Sequence, residues 1–262
     1  MAAQRALAGR GIKGVVVKTE QGWFCLDPDE QFVSKSLLET GAYGQGEIEQ
    51  ARQFCDDASR VLVVGAHIGT VAIPLARFCA ELVAIEANPD TYEFLELNIA
   101  MNRGFNILAH NVAASDRRAP VEFVMNTVNS GGSKRMPMHR DHIYFYDNPR
   151  VAIVPGVRLD DLLPGERFEL VFMDIEGSEY HAFLGMQQIL AGAKTLIVEF
   201  LPHHLSRVAG VTVEEFLQPL SAHFNTLTVP STGQQAGKKE ILGVLHHMFD
   251  NNQGDAGIIF QK

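Results

Sequence analysis

Residues 61–69 read Val-Leu-Val-Val-Gly-Ala-His-Ile-Gly, a β-branched run that stops at two glycines four positions apart. An apolar helical pattern follows. A strand, a glycine turn and a helix in this order bring main-chain amides close to a ligand, because glycine has no Cβ to hold it off. A second apolar run, Leu82-Val83-Ala84-Ile85-Glu86, ends in a carboxylate. An acid at that place in a βαβ unit can accept hydrogen bonds from both hydroxyls of a ribose. Together the two features point to a cofactor of the adenosine type. Asp174, Glu176 and Glu199 stand at or just beyond the ends of later strand patterns. Acids there can orient or deprotonate a reacting group.

The glycine spacing bears on which adenosine cofactor fits. A dinucleotide fingerprint, G-x-G-x-x-G, uses its middle glycine to admit the pyrophosphate and its third to pack helix on strand. Here the turn is Gly65-Ala66-His67-Ile68-Gly69-Thr70. An imidazole replaces the middle glycine and a threonine the third. That is harder to reconcile with a pyrophosphate than with the smaller amino-acid moiety of S-adenosylmethionine, which carries no phosphate.

These residues need a frame to hold them. Residues 14–26 alternate as two short strands about the turn-forming pair Gln21-Gly22, and 47–58 read as a helix. From residue 61 strands and helices alternate: strands at 61–64, 82–86, 106–110, 170–174 and 195–200, helices at 70–80, 89–102 and about 179–190, the last closed by Gly192. Pro74 falls in or near the first turn of its helix, and Asn88-Pro89 opens the next as cap and first-turn proline. The tail adds a helix near 213–223 and strands at 226–229 and 257–261. Such alternation argues for a doubly wound, mostly parallel α/β sheet. It places residues 1–60 as an N-terminal β-hairpin plus helix and 61–262 as the main domain. Two stretches break the pattern: an insertion at about 117–158, holding a hairpin and Asn129-Ser130-Gly131-Gly132-Ser133-Lys134, and the Gln-, Gly-, Lys- and Asn-rich residues 231–255. Long insertions of this kind are typically lids or binding loops.

Composition narrows the partners. The chain has 262 residues, 46% hydrophobic, with 31 Asp and Glu against 22 Lys and Arg, a formal charge of −9. Nucleic-acid binding rests on neutralising phosphates, so this balance argues against it. No apolar run approaches the roughly 20 residues that cross a bilayer, and the stretch around Arg5 and Arg10 is too short for a secretory signal. Cys25, Cys55 and Cys79 lack metal-type spacing and suit core packing in a reducing, cytoplasmic setting. His203-His204 and His246-His247 read as loop or surface residues, and the spacing of the acids does not demand a metal. Residues 134–149, with Met136, Met138, Tyr144, Phe145 and Tyr146 beside Lys134, Arg135 and Arg140, suit either a lid over a polar acceptor or an oligomer contact.

Six segments in register resemble one family. Gly65-Ala66-His67-Ile68-Gly69 is similar to the Gly-Ala-Asn-Ile-Gly turn of the FkbM S-adenosylmethionine-dependent methyltransferases. Glu86-Ala87-Asn88-Pro89, Asn111-Val112-Ala113-Ala114-Ser115-Asp116, Asn129-Ser130-Gly131, Leu159-Asp160-Asp161-Leu162 and Asp174-Ile175-Glu176-Gly177-Ser178-Glu179 resemble its further motifs in the same order. The chain departs from the family at Val63, where an aspartate is usual, and at His67, where an asparagine is usual. The resemblance implies a seven-stranded Rossmann-like class I methyltransferase fold and O-methylation of a hydroxyl on a small molecule or sugar.

On this reading Gly65, Ala66, His67, Gly69, Glu86, Ala87, Asn88, Ala113, Ser115, Asp116 and Asp174 hold S-adenosylmethionine. Glu86 grips the ribose, Asn88 steadies its edge, and Ser115 and Asp116 meet the adenine. Asp174 and Glu176 orient or deprotonate the acceptor, with Glu199 lining the pocket. Two other readings compete. A nicotinamide-dependent oxidoreductase shares the fold class and ribose acid but needs the middle glycine and a Tyr-x-x-x-Lys pair. A non-catalytic S-adenosylmethionine-binding protein would keep the pocket without turnover.

Overall fold

The computed structural model describes residues 11–262, so Arg5 and Arg10 lie outside the described residues. The chain opens with the antiparallel hairpin β1 (Val15–Lys18) and β2 (Trp23–Leu26), turning at Gln21-Gly22. Two short helices, Val33–Thr40 and Gln45–Arg52, follow where the pattern suggested one. The remaining strands are β3 (Arg60–Val64), β4 (Glu81–Glu86), β5 (Ile107–Asn111), β6 (Ala113–Ala114), β7 (Ala119–Met125), β8 (Lys134–Arg135), β9 (Arg150–Val157), β10 (Leu170–Met173), β11 (Thr195–Phe200), β12 (Thr226–Val229), β13 (Gln234–Gly237) and β14 (Asp255–Gln261).

The main sheet is mixed and eight-stranded, in the order β13-β12-β14-β11-β10-β3-β4-β5. From β11 to β5 neighbours run parallel, while β14, β12 and β13 pair antiparallel. The expected seven strands gain one because 231–255 is not irregular. It forms β13 and a helix, Ile241–Asp250, that buries Ile241, Val244, Leu245 and Met248 at helical spacing. Polar flanks hid that period.

Parallel strands are covered on both faces, which is why β3 and β10 read as unbroken apolar runs. Alternate side chains feed two cores. Leu62, Val64, Val83, Ile85, Val171 and Met173 share one, and Val61, Val63, Leu82, Ala84, Leu170 and Phe172 the other. From β3 the chain moves outward through β4 and β5, then returns to β10 on the opposite side of β3. The crevice of an α/β sheet opens at such a reversal.

Three helices are shorter than their patterns suggested: the one expected over 70–80 is α-helical only over Ala72–Leu75 and ends in a 3-10 turn, Ala76–Phe78. The 179–190 helix is broken into Glu179–Leu184 and Gln187–Gly192. At the break a Cβ on Gly185 would stand 1.9 Å from the Ser115 carbonyl oxygen, so only glycine fits. Buried Asp160 then caps the second piece, accepting from the amides of Gln188 (3.0 Å) and Ile189 (3.1 Å). The helix expected near 213–223 stops at Leu217, just before Pro219, whose ring and missing N–H interrupt the ladder.

The insertion forms a second sheet, β6-β9-β7-β8, built on the expected hairpin of β7 and β9. The N-terminal hairpin is held differently. Asn98 on helix Pro89–Met101 and Asn102, which caps its end one turn later, serve as a substitute strand for β2. Asn102 accepts from the Trp23 amide (3.0 Å) and donates to its carbonyl (2.7 Å). Asn98 accepts from the Cys25 amide (2.6 Å) and donates to the Ile68 carbonyl in the glycine turn (2.8 Å). Asparagine is a poor helix former, but here its amide satisfies main chain that would otherwise be buried unpaired. Asn98→Leu keeps the volume and strands those groups. Urea unfolding should register a loss of about 2–4 kcal/mol with an unchanged m-value; a loss under about 0.5 kcal/mol would contradict this role.

Candidate functional site

At the carboxyl ends of β3, β4 and β10 lies a cavity of about 170 Å³, walled on one side by the insertion and on another by the N-terminal segment. The glycine turn forms its floor. Gly65 has φ +89°, and a Cβ there would lie 1.7 Å from the carbonyl oxygen of Asp174. The turn therefore lets β3 and β10 close on each other. Its amides face inward: Gly65 and Ala66 both donate to the Ile85 carbonyl (2.9 Å each), and His67 donates to Glu86 Oε2 (2.8 Å). These three amides hold β4 and are not free to receive a phosphate.

Glu86 ends β4 buried in the cavity wall. Its Oε2 accepts from His67 and its Oε1 from the Asn88 amide (2.7 Å). Burial pushes its pKa up to about 7, against the pull of those hydrogen bonds. Each oxygen keeps a lone pair for a further donor.

His67 stands in the left-handed region at φ +50°, where asparagine, aspartate and histidine are the usual side-chain-bearing residues. Its Nε2 meets Ser130 Oγ at 2.8 Å, tying the insertion to the glycine turn. Burial lowers its pKa to about 4, so the ring is neutral at physiological pH.

Of the expected donor-binding residues, the cavity takes in Gly65, Ala66, His67, Glu86, Ala87, Ala113 and Asp174. Four others lie off its wall, each for a visible reason. Gly69 has φ +94° and packs on Ile73, shaping the helix entry. Asn88 caps its helix, accepting from the Asp90 amide (3.0 Å) and donating to Ser133 Oγ (3.3 Å). Ser115 accepts from Arg135 (2.9 Å) and donates to Asp116 (3.1 Å). That pair reaches the cavity only through Arg135, which does line it.

The three acids are brought together, but not in one wall. Asp174 and Glu176 line the cavity, whereas Glu199 sits behind them. Asp174 Oδ1 is buried without a hydrogen-bond partner. Burial, then the nearby charges of Glu199, Glu176, Glu179 and Glu47, hold its pKa well above the carboxylate range. Glu176, at φ +56°, meets Lys134 Nζ at 3.1 Å and His204 Nε2 at 3.3 Å. The other nitrogen of His204 lies 3.2 Å from Glu199 Oε2. His204 is thus a buried bridge between two carboxylates rather than a surface residue, placed there by the π-helical turn His204–Ala209. Burial lowers the His204 pKa and, with Glu176 and Glu179 nearby, raises that of Glu199. His246 does lie at the surface, against Glu214 (2.7 Å).

Glu176, Glu199 and His204 offer ligand atoms within 4.8 Å of one another, close enough to share a cation. In the arrangement described, Lys134 already neutralises Glu176, and each His204 nitrogen serves a different carboxylate.

Sequence reasoning missed Tyr43 and Glu47, which complete the cavity from the N-terminal segment. Gln21 fixes Tyr43 through its main chain, donating to the carbonyl (2.7 Å) and accepting from the amide (2.8 Å). Nothing in the local sequence marks either residue. Among the described residues no helix is long and apolar enough to cross a membrane.

No curated protein matches the chain in sequence. Among solved structures, the chain is similar to a methyltransferase FkbM from Methylobacillus flagellatus (14% identity, 78% of this chain and 44% of that one, TM-score 0.44). It is similar also to Trm5b from Pyrococcus abyssi (11%, 97% and 57%, 0.49) and to a TehB-like SAM-dependent methyltransferase from Corynebacterium glutamicum (9%, 87% and 93%, 0.48). The chain thus spans less than half of the Methylobacillus protein's length. The family model for the methyltransferase FkbM domain matches residues 64–227, from the end of β3 into β12. The chain belongs to the FkbM methyltransferase domain family.

Proposed function

We propose that this protein transfers a methyl group from S-adenosylmethionine to a hydroxyl of a small molecule or sugar. The charge of the cavity carries the reading. Glu47, Glu86, Asp174 and Glu176 line it against the single guanidinium of Arg135. A pyrophosphate entering there meets carboxylates and glycine-turn amides already bonded to β4. A cationic sulfonium nucleoside meets the charge it needs, and the unpartnered Asp174 Oδ1 suits its ammonium. Glu86 keeps two lone pairs for the ribose hydroxyls.

Bound S-adenosylmethionine supplies an electrophilic methyl whose C–S bond breaks as the new O–C bond forms, leaving a neutral thioether. This chain's residues position the acceptor and take its proton. Glu176, held by Lys134 and His204 on the cavity wall, is the residue we assign to take the hydroxyl's proton. From there the contacts lead through His204 to Glu199, away from the reacting centre. The formal charge of −9 favours a small acceptor over a nucleic acid, and a soluble cytoplasmic enzyme without membrane partners, as a monomer or homo-oligomer, suits the same reading.

Calorimetry provides the test. S-adenosylhomocysteine should bind and NAD should not; the reverse would overturn the proposal. Glu86 must be ionised to accept hydrogen bonds on both oxygens from the two hydroxyls, and its pKa lies at about 7. Ionisation is lost as pH falls, so affinity should weaken about tenfold between about pH 8 and about pH 6, and Glu86→Gln should flatten the profile.

A second measurement addresses the electrostatics. Asp174→Asn should weaken S-adenosylmethionine and S-adenosylhomocysteine alike, each about tenfold, because both carry the ammonium assigned to it. Unchanged affinity for both would remove Asp174 from recognition of the ammonium.

A further inference from the structure

Beside the first cavity lies a second cleft, of about 200 Å³, lined by Asn126, Ile143, Tyr144, Tyr146, His203 and Lys134 among others. Asn129 and Glu176 line both spaces, so the two adjoin at the carboxylate assigned above to the acceptor's proton.

Asn126 is the informative residue. It is 4% exposed, and its Nδ2 donates to Asp147 Oδ1 (2.7 Å) and to the Tyr144 carbonyl (3.4 Å). Both partners are acceptors, which fixes the orientation of the amide. Asp147 is itself fixed by the amides of Thr127 (2.7 Å) and Val128 (3.0 Å). Asn126 Oδ1 is left buried with no donor. Native structures seldom leave such an oxygen without a partner, and here the cleft is where one can come from.

The rest of the wall constrains that partner's chemistry. The ammonium of Lys134 is engaged by the Gly132 carbonyl, Glu176 and the face of Tyr144 (5.4 Å to the ring centre). His203 stacks on Tyr144 with ring centres 6.3 Å apart, and burial lowers its pKa, so it is uncharged. The cleft therefore offers no free cation to a phosphate or carboxylate. It offers hydrogen-bonding side chains on one side, and Tyr146 and Ile143, exposed at 45% and 58%, on the other. A ring with hydroxyls around its rim and C–H groups on its face matches both sides, since polarised C–H groups meet the negative face of an aromatic ring.

We propose that this cleft is the acceptor subsite and takes a neutral polyhydroxylated ring of the pyranose class, one hydroxyl of which donates to Asn126 Oδ1. The inference rests on the methyl-transfer reading above and extends it to the acceptor.

The full chain, saturated with S-adenosylhomocysteine, is titrated with the methyl pyranosides of glucose, galactose, mannose and rhamnose, and separately with catechol, by saturation-transfer NMR and calorimetry. At least one pyranoside should bind. Asn126→Leu and Tyr146→Ala should each weaken it at least about tenfold while leaving S-adenosylhomocysteine affinity unchanged. Tyr146 is exposed, so Tyr146→Ala carries the test if the buried variant does not fold. Binding of catechol alone, binding of no pyranoside, or unchanged pyranoside affinity in Tyr146→Ala overturns the subsite while leaving the donor reading intact. Failure of S-adenosylhomocysteine itself to bind overturns the donor reading and this one with it.

Discussion

The carboxylate of Glu86 joins the two turns on which the cavity is built. One oxygen accepts from His67 in the turn after β3, the other from Asn88 at the start of the next helix. A buried acid with a pKa near 7 is a conditional tie, strongest when ionised. Around it the glycine turn directs its amides to Ile85, Gly65 lets β10 approach, and His67 reaches out to Ser130 of the insertion. The position of the insertion follows from a turn anchored on this carboxylate through His67. A ligand that supplies two further donors to Glu86 would complete its coordination and hold its charge in place.

The site divides its charges by location. On the side of the insertion Arg135 donates to Ser115, the serine expected from sequence to meet adenine. Toward β10 and β11 the acids gather, compensated by one buried lysine and a neutral histidine bridge. Carboxylates packed this closely cannot all be ionised, and burial with mutual repulsion raises Asp174 and Glu199. A cation arriving at Asp174 relieves that repulsion. An anion would add to it.

Much of this was legible in the sequence, and the boundary has a physical cause. The glycine turn, Glu86 and the acids ending β10 and β11 are marked by local pattern, because strand ends and tight turns impose residue types on their own neighbours. Asn88 was legible as a cap because a helix start selects such a side chain, whereas its bond to Ser133 of the insertion was not. His204 was read as surface because only the π-helical turn brings it back between Glu176 and Glu199. Tyr43, Glu47 and Asn126 reach the site from distant segments, and no periodicity encodes such meetings. The eighth strand was hidden by polar flanks around a helix whose buried period was present throughout.

The central claim is that Glu86 receives the sugar of a sulfonium nucleoside. A crystal structure of the full chain soaked with S-adenosylhomocysteine tests it most directly. The account predicts both ribose hydroxyls within hydrogen-bonding distance of the Glu86 oxygens, with the amino-acid end directed toward Asp174. A ribose seated elsewhere, or a diphosphate lying along the glycine turn in crystals offered a dinucleotide, would contradict it.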